Sequence, residues 1–206
     1  ARTPGAAAKV LLAAEAAGRD PRRLGGVDYV RRVSAGYRGG RYGATTFDQA
    51  LSMLALRAAG RPVPRPAVRA LLAARGGGGW GFARTPRAAD SVDATALAIE
   101  ALRAAGVSPR ARPLRAAAAW MARQRNAEGG YASAGGGRTT EANATAGAIR
   151  ALRAMGRRPP ARTRAALRGL QERSGAIRFT RASPGSRLLA TNDALVALAG
   201  AHLPVR

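Results

Sequence analysis

The sequence predicts an all-α fold of repeated helical hairpins, and three observations carry that prediction. First, apolar helical runs end in glycine at Gly18, Gly60, Gly106, Gly156 and Gly200, which stand 42, 46, 50 and 44 residues apart. A proline follows each within four residues: Pro21, Pro62, Pro109, Pro159 and Pro204. Glycine takes the left-handed position after a helix without penalty, and proline just beyond prevents the helix from resuming. Second, the runs align in columns. Ala8, Ala50, Ala96 and Ala146 stand ten residues before the glycine, Leu11, Met53, Ile99 and Ile149 seven before, and Ala14, Leu56, Leu102 and Leu152 four before. Steps of three trace one face of a helix. Third, strand signals are nearly absent, with one brief alternation at residues 176–180.

Taken in order, each apolar run leads through its Gly-Pro turn into a second helical pattern, at residues 27–33, 66–74, 113–123 and 161–172. Pro66 and Pro113 fit the first helical turn, where no backbone donor is needed. The second patterns close in a glycine followed by an aromatic or apolar residue. These closures are Gly40-Arg41-Tyr42, Gly79-Trp80, Gly130-Tyr131 and Gly175-Ala176-Ile177. The glycine allows a sharp turn, and the ring is expected to plug the gap between hairpins. A shorter fifth unit, residues 191–200, keeps the pattern loosely. Hairpins of this period either stack into a solenoid or close into a ring.

Composition bounds the chemistry. The chain of 206 residues suits one domain. It has no cysteine and one histidine, His202, so disulfides, thiolate metal sites and histidine clusters are excluded. No run has the length of a membrane span. The formal charge of +24 invites a polyanion partner. The basic residues are scattered, however, and all but Lys9 are arginine, in a chain also rich in alanine, glycine and proline. That pattern reads as compositional drift on solvated faces, and nucleic acid is not the expected partner.

The segments Gly79-Trp80-Gly81-Phe82, residues 90–96 and residues 101–106, with Gln124 through Gly130-Tyr131 and a weaker copy at Gln171 to Gly175, resemble the prenyltransferase and squalene-cyclase repeat superfamily. The resemblance covers essentially the whole chain. It implies an α/α toroid of inner and outer helical rings, with about five repeats of 42–50 residues and either one hairpin missing upstream or an incomplete ring, across a single domain 1–206. Bacterial proteins resembling this chain are often exported, which makes an exported or cell-surface location the expectation. Prenyltransferase-type zinc and complement-type thioesters both need cysteine, so neither applies.

Type II cyclases of this superfamily protonate an alkene with the middle carboxyl of Asp-X-Asp-Asp. Here the corresponding run is Ser91-Val92-Asp93-Ala94, which keeps Asp93 alone. Asp90, three residues earlier, is the candidate helper if both share a helix face. Nine aromatic residues, of which Tyr42, Trp80, Phe82 and Tyr131 are assigned to turns, leave few to line a carbocation cavity. Asp48, Asp93 and Asn143 recur near helix starts, and Gln49, Thr95 and Thr145 share the column eleven before the glycine. A position recurring in units that cannot all be catalytic favours helix capping over catalysis. If these six residues instead gather at a common mouth, they are the candidate ligand-binding set.

The expected function is therefore a non-catalytic toroid that binds a small apolar or cobalamin-like molecule, or a protein partner, at the mouth of the inner helices. No cofactor and no metal are expected. Two alternatives stand beside it: a cyclase-like enzyme using Asp93 as general acid, and a polyanion-binding surface.

Overall fold

The structure, a computed structural model, describes residues 3–205. Its helices are α1 (Pro4–Ala16), α2 (Tyr29–Ala35), α3 (Thr46–Ala58), α4 (Arg65–Ala73), α5 (Val92–Ala104), α6 (Arg112–Arg123), α7 (Ala142–Ala154), α8 (Ala161–Arg168) and α9 (Arg187–Leu198). The chain is predominantly helical.

Helix stops follow the glycines. Gly18, Gly60, Gly106, Gly156 and Gly200 all have positive φ. After each, the next amide donates back across the helix end: Arg19 to Ala14, Arg61 to Leu56, Val107 to Leu102, Arg157 to Leu152 and Ala201 to Val196. This six-to-one bond satisfies a carbonyl that the helix leaves orphaned, and it needs the left-handed residue glycine supplies. Helices α4, α6 and α8 start without side-chain caps, behind Pro64, Ala111 and Pro160, whereas Asp28 caps α2 by accepting the Arg31 amide.

Odd-numbered helices pack in succession, α1 on α3, α3 on α5, α5 on α7 and α7 on α9. Even-numbered helices lie against this row, α2 on α1 and α3, α4 on α3, α6 on α5 and α8 on α7. Burial sets the central helices α3, α5 and α7 apart from the even-numbered ones. Helix α5 buries ten of its thirteen residues, whereas α4 buries only Ala67 and Leu71 of nine. A helix covered all round is apolar all round, while one covered on a single side keeps an apolar stripe. The small residues of α5 and α7 let their axes approach, and a Cβ at Gly147 would stand 3.3 Å from Ala96 Cβ.

Three expectations need correction. The pattern at 161–172 is helical only to Arg168, because the backbone turns at Gly169. The last helix begins four residues before the expected 191, behind the capping hydroxyl of Ser186. The short strands fall outside 176–180. They are β1 (Tyr37–Arg38) with β2 (Arg41–Tyr42), and β3 (Trp80–Gly81) with β4 (Asp90–Ser91), both antiparallel. They belong to the Gly-aromatic loops, whose extended backbone pairs locally.

Candidate functional site

One cleft gathers residues from all five odd-numbered helices. It has a volume of about 430 Å³. Lys9 comes from α1, Phe47 and Leu51 from α3, Asp93 and Leu97 from α5, Asn143, Gly147 and Arg150 from α7, and Leu189 and Asp193 from α9. Ser133, Glu141 and Phe179 come from connecting loops, and Leu203 from the C-terminal segment. The contributions of α3 and α5 lie in their N-terminal halves. The walls are apolar and the floor is charged. A second, more open recess shares Phe47, Asp93 and Ser133 with it and adds Phe82, Asp90 and Trp120.

The floor rests on a buried charge network. Arg150 Nε lies 3.3 Å from Glu100 Oε1, and its NH1 group 3.0 Å from Asp193 Oδ1. Glu100 is fully buried and Arg150 only 6% exposed, so each charge depends on the other. Glu100 Oε1 also accepts from the Leu203 amide at 2.9 Å. Asn143 Nδ2 donates to Asp193 Oδ2 at 2.6 Å. Burial pushes the Glu100 carboxyl up, against the pull of Arg150. Its neighbour Arg150 is held charged by Glu100 and Asp193 despite its own burial.

Asp93 sits at the junction of the two recesses. Burial raises its carboxyl above the ordinary aspartate range, Glu141 and Asp193 push the same way, and the Ser133 hydroxyl and Arg150 pull against them. Glu141 accepts the Ser133 amide at 2.9 Å. Ser133 thus bonds two of the carboxylates, Glu141 through its amide and Asp93 through its hydroxyl.

The six expected ligand residues divide. Asp93 and Asn143 line the cleft. Asp48 caps α3: Thr45 Oγ1 accepts from the Asp48 amide at 3.0 Å, and Asp48 Oδ2 accepts from the Thr45 amide at 3.2 Å. Gln49, Thr95 and Thr145 are fully buried and hold the Gly-aromatic loops. Thr95 Oγ1 accepts from the Trp80 amide at 2.9 Å and donates to the Trp80 carbonyl at 3.3 Å. Thr145 does the same for Tyr131 at 3.0 and 3.3 Å. Gln49 Oε1 accepts from the Tyr42 amide, and its Nε2 donates to the Gly40 and Ala67 carbonyls. Their polar atoms face away from the cleft.

Two further expectations are corrected. Asp90 precedes α5, in β4, and binds the Gly78 amide at 2.8 Å, so it does not share a helix face with Asp93. Asp93 and Asn143 are not caps; Ser91 caps α5, and Glu141 stands at the start of α7 without a side-chain cap bond. Phe82, assigned to a turn, is 63% exposed and lies against Phe47 with ring centroids 5.6 Å apart. Trp80 and Tyr42 are turn plugs, and the Trp80 indole donates to the Leu71 carbonyl of α4 at 2.7 Å.

Glu100, Arg150, Asp193, Glu141 and Ser133 were not among the expected site residues. A signal existed. Glu100 and Arg150 both stand six before their glycines, where the first two units carry Leu12 and Leu54. Asp193 stands seven before Gly200, in the column of Leu11, Met53, Ile99 and Ile149. A charge in an otherwise apolar column is a buried charge needing a partner.

Among the described residues no group of three acidic or histidine side chains is arranged to hold a metal ion, and no helix is long and apolar enough to cross a membrane. Compared with known protein families and with curated protein sequences, the chain matches none.

Proposed function

We propose that the odd-numbered helices are the inner wall of an α/α toroid of the prenyltransferase and squalene-cyclase type, and that its mouth binds a small apolar molecule. The single observation that carries this reading is the cleft. Five helices from across the chain contribute to one cavity, with apolar walls and a few convergent polar groups, within the size range of small-molecule sites. Its 430 Å³ favours a compact apolar ligand over a corrinoid. The test is thermal unfolding of the full chain with farnesol, squalene and cobalamin. Farnesol or squalene is expected to raise the midpoint in a saturable way. A flat response to all three would overturn the reading.

A second reading keeps Asp93 as a general acid toward an alkene. Its support is the raised carboxyl of Asp93 in a cleft that Phe47 and Phe179 also line. Incubation with squalene or a linear polyprenyl diphosphate, followed by product analysis, decides it. No cyclic product, or the same product from Asp93→Asn, excludes it.

A further inference from the structure

The chemistry of the cleft selects among apolar ligands, and this step rests on the binding reading above. Apart from Lys9, the donors that line it are already engaged. Arg150 is held by Glu100 and Asp193, the Asn143 amide by Asp193, the Ser133 amide by Glu141 and the Ser133 hydroxyl by Asp93. What the floor still offers is carboxylate lone pairs, because an ionised carboxylate accepts at about four sites. Asp93, Glu141 and Asp193, the carboxylates that line it, carry three formal negative charges against Arg150 and Lys9. The cavity is thus a net-negative, acceptor-rich pocket inside a chain of +24. Above that floor the walls are Phe47, Leu51, Leu97, Phe179, Leu189 and Leu203. A ligand that fits must bring its own N–H donors and positive charge on an apolar body.

We infer that the cleft binds a lipophilic ammonium, with its nitrogen among Asp93, Glu141 and Asp193 and its hydrocarbon against the leucine and phenylalanine walls. A cation there favours the ionised form of Asp93. Binding therefore releases a proton and tightens as pH rises through the raised Asp93 range, with Glu141, Asp193, Arg150 and Ser133 facing it from the neighbouring elements and Lys9 across the cleft.

Titration of the full chain with octylammonium, 1-octanol and octanoate tests this, because overall charge and local charge predict opposite orders. The +24 surface favours octanoate, whereas the cleft favours octylammonium. Octylammonium is expected to bind about tenfold or more tighter than 1-octanol, the scale of one charge-assisted hydrogen bond. An Asp93→Asn, Glu141→Gln double variant should lose that margin and keep its 1-octanol affinity. Equal binding of octylammonium and 1-octanol would overturn the ammonium assignment and leave the apolar-ligand reading intact. Tightest binding by octanoate would also overturn it. Absence of binding by all three would overturn both.

Discussion

Two polar columns run side by side along the odd-numbered helices, and they do different work. Asp93 and Asn143 face the cleft; Thr95 and Thr145, two residues on, face the Gly-aromatic loops. Two residues of α-helix turn the side chain through about 200°, so adjacent polar positions serve opposite sides. On the loop side each hydroxyl meets both backbone groups of one residue, and nothing polar is left over. On the cleft side Asp93, Glu141 and Asp193 keep lone pairs beyond those the neighbouring donors use. Saturated polar groups hold a fold together, and unsaturated ones leave capacity for a ligand.

The largest effect should come from the charge network beneath the cleft. Arg150→Ala leaves Glu100 buried without its cation and should cost about 3–5 kcal/mol in urea unfolding. The double variant Glu100→Leu, Arg150→Met should recover much of that loss, as replacing a buried pair by apolar residues often does. Recovery would show that the pair is not what stabilises the α5–α7 contact.

On the loop side, Thr95→Val and Thr145→Val each orphan a buried amide and should cost about 1–3 kcal/mol. Ligand affinity should stay unchanged, since neither residue lines the cleft. A loss of binding with folding intact would erase the distinction between the columns. Gly79→Ala should destabilise for a related reason: a Cβ there overlaps Thr95 Oγ1, the hydroxyl that grips Trp80.

Asp93 predicts a pH effect of opposite sign to the usual surface carboxylate. Its folded form holds the proton more tightly than the unfolded chain does. Between the ordinary aspartate range and the raised one the native state binds more protons, so stability falls as pH rises through that window. Asp93→Asn should flatten this fall and exceed the parent in stability at neutral pH, as read from thermal midpoints across pH. A variant less stable than the parent at neutral pH would contradict the account. The smallest effect belongs to Asp48→Ala, which removes one half of a capping box and should cost about 1 kcal/mol.

The sequence made the helices legible because their signals are local. A left-handed glycine, a following proline and a three-residue apolar step each act within one or two turns. Even the column of Gln49, Thr95 and Thr145 was visible as a repeat, though its direction was not. Spacing alone does not say which side of α5 Thr95 faces until Trp80 folds back onto it. The cleft was less legible because its partners are far apart in the chain. Glu100 meets Arg150 fifty residues on and the Leu203 amide 103 residues on. Ser133 reaches Asp93 only because the 125–141 loop folds across the start of α5, where the Val92 amide binds the Ser133 carbonyl at 2.9 Å. Phe82 misled because glycine neighbours suggested a plug, whereas its ring lies outside on Phe47.

The central claim is that the shared cavity of the odd-numbered helices is the binding site. Photoaffinity labelling of the full chain with a diazirine-bearing octylammonium, followed by peptide mapping, tests it most directly. The account predicts saturable labelling on Leu97, Phe179 and Leu189, displaced by excess octylammonium. Labelling spread over the exposed surface, or undiminished by competitor, would contradict it.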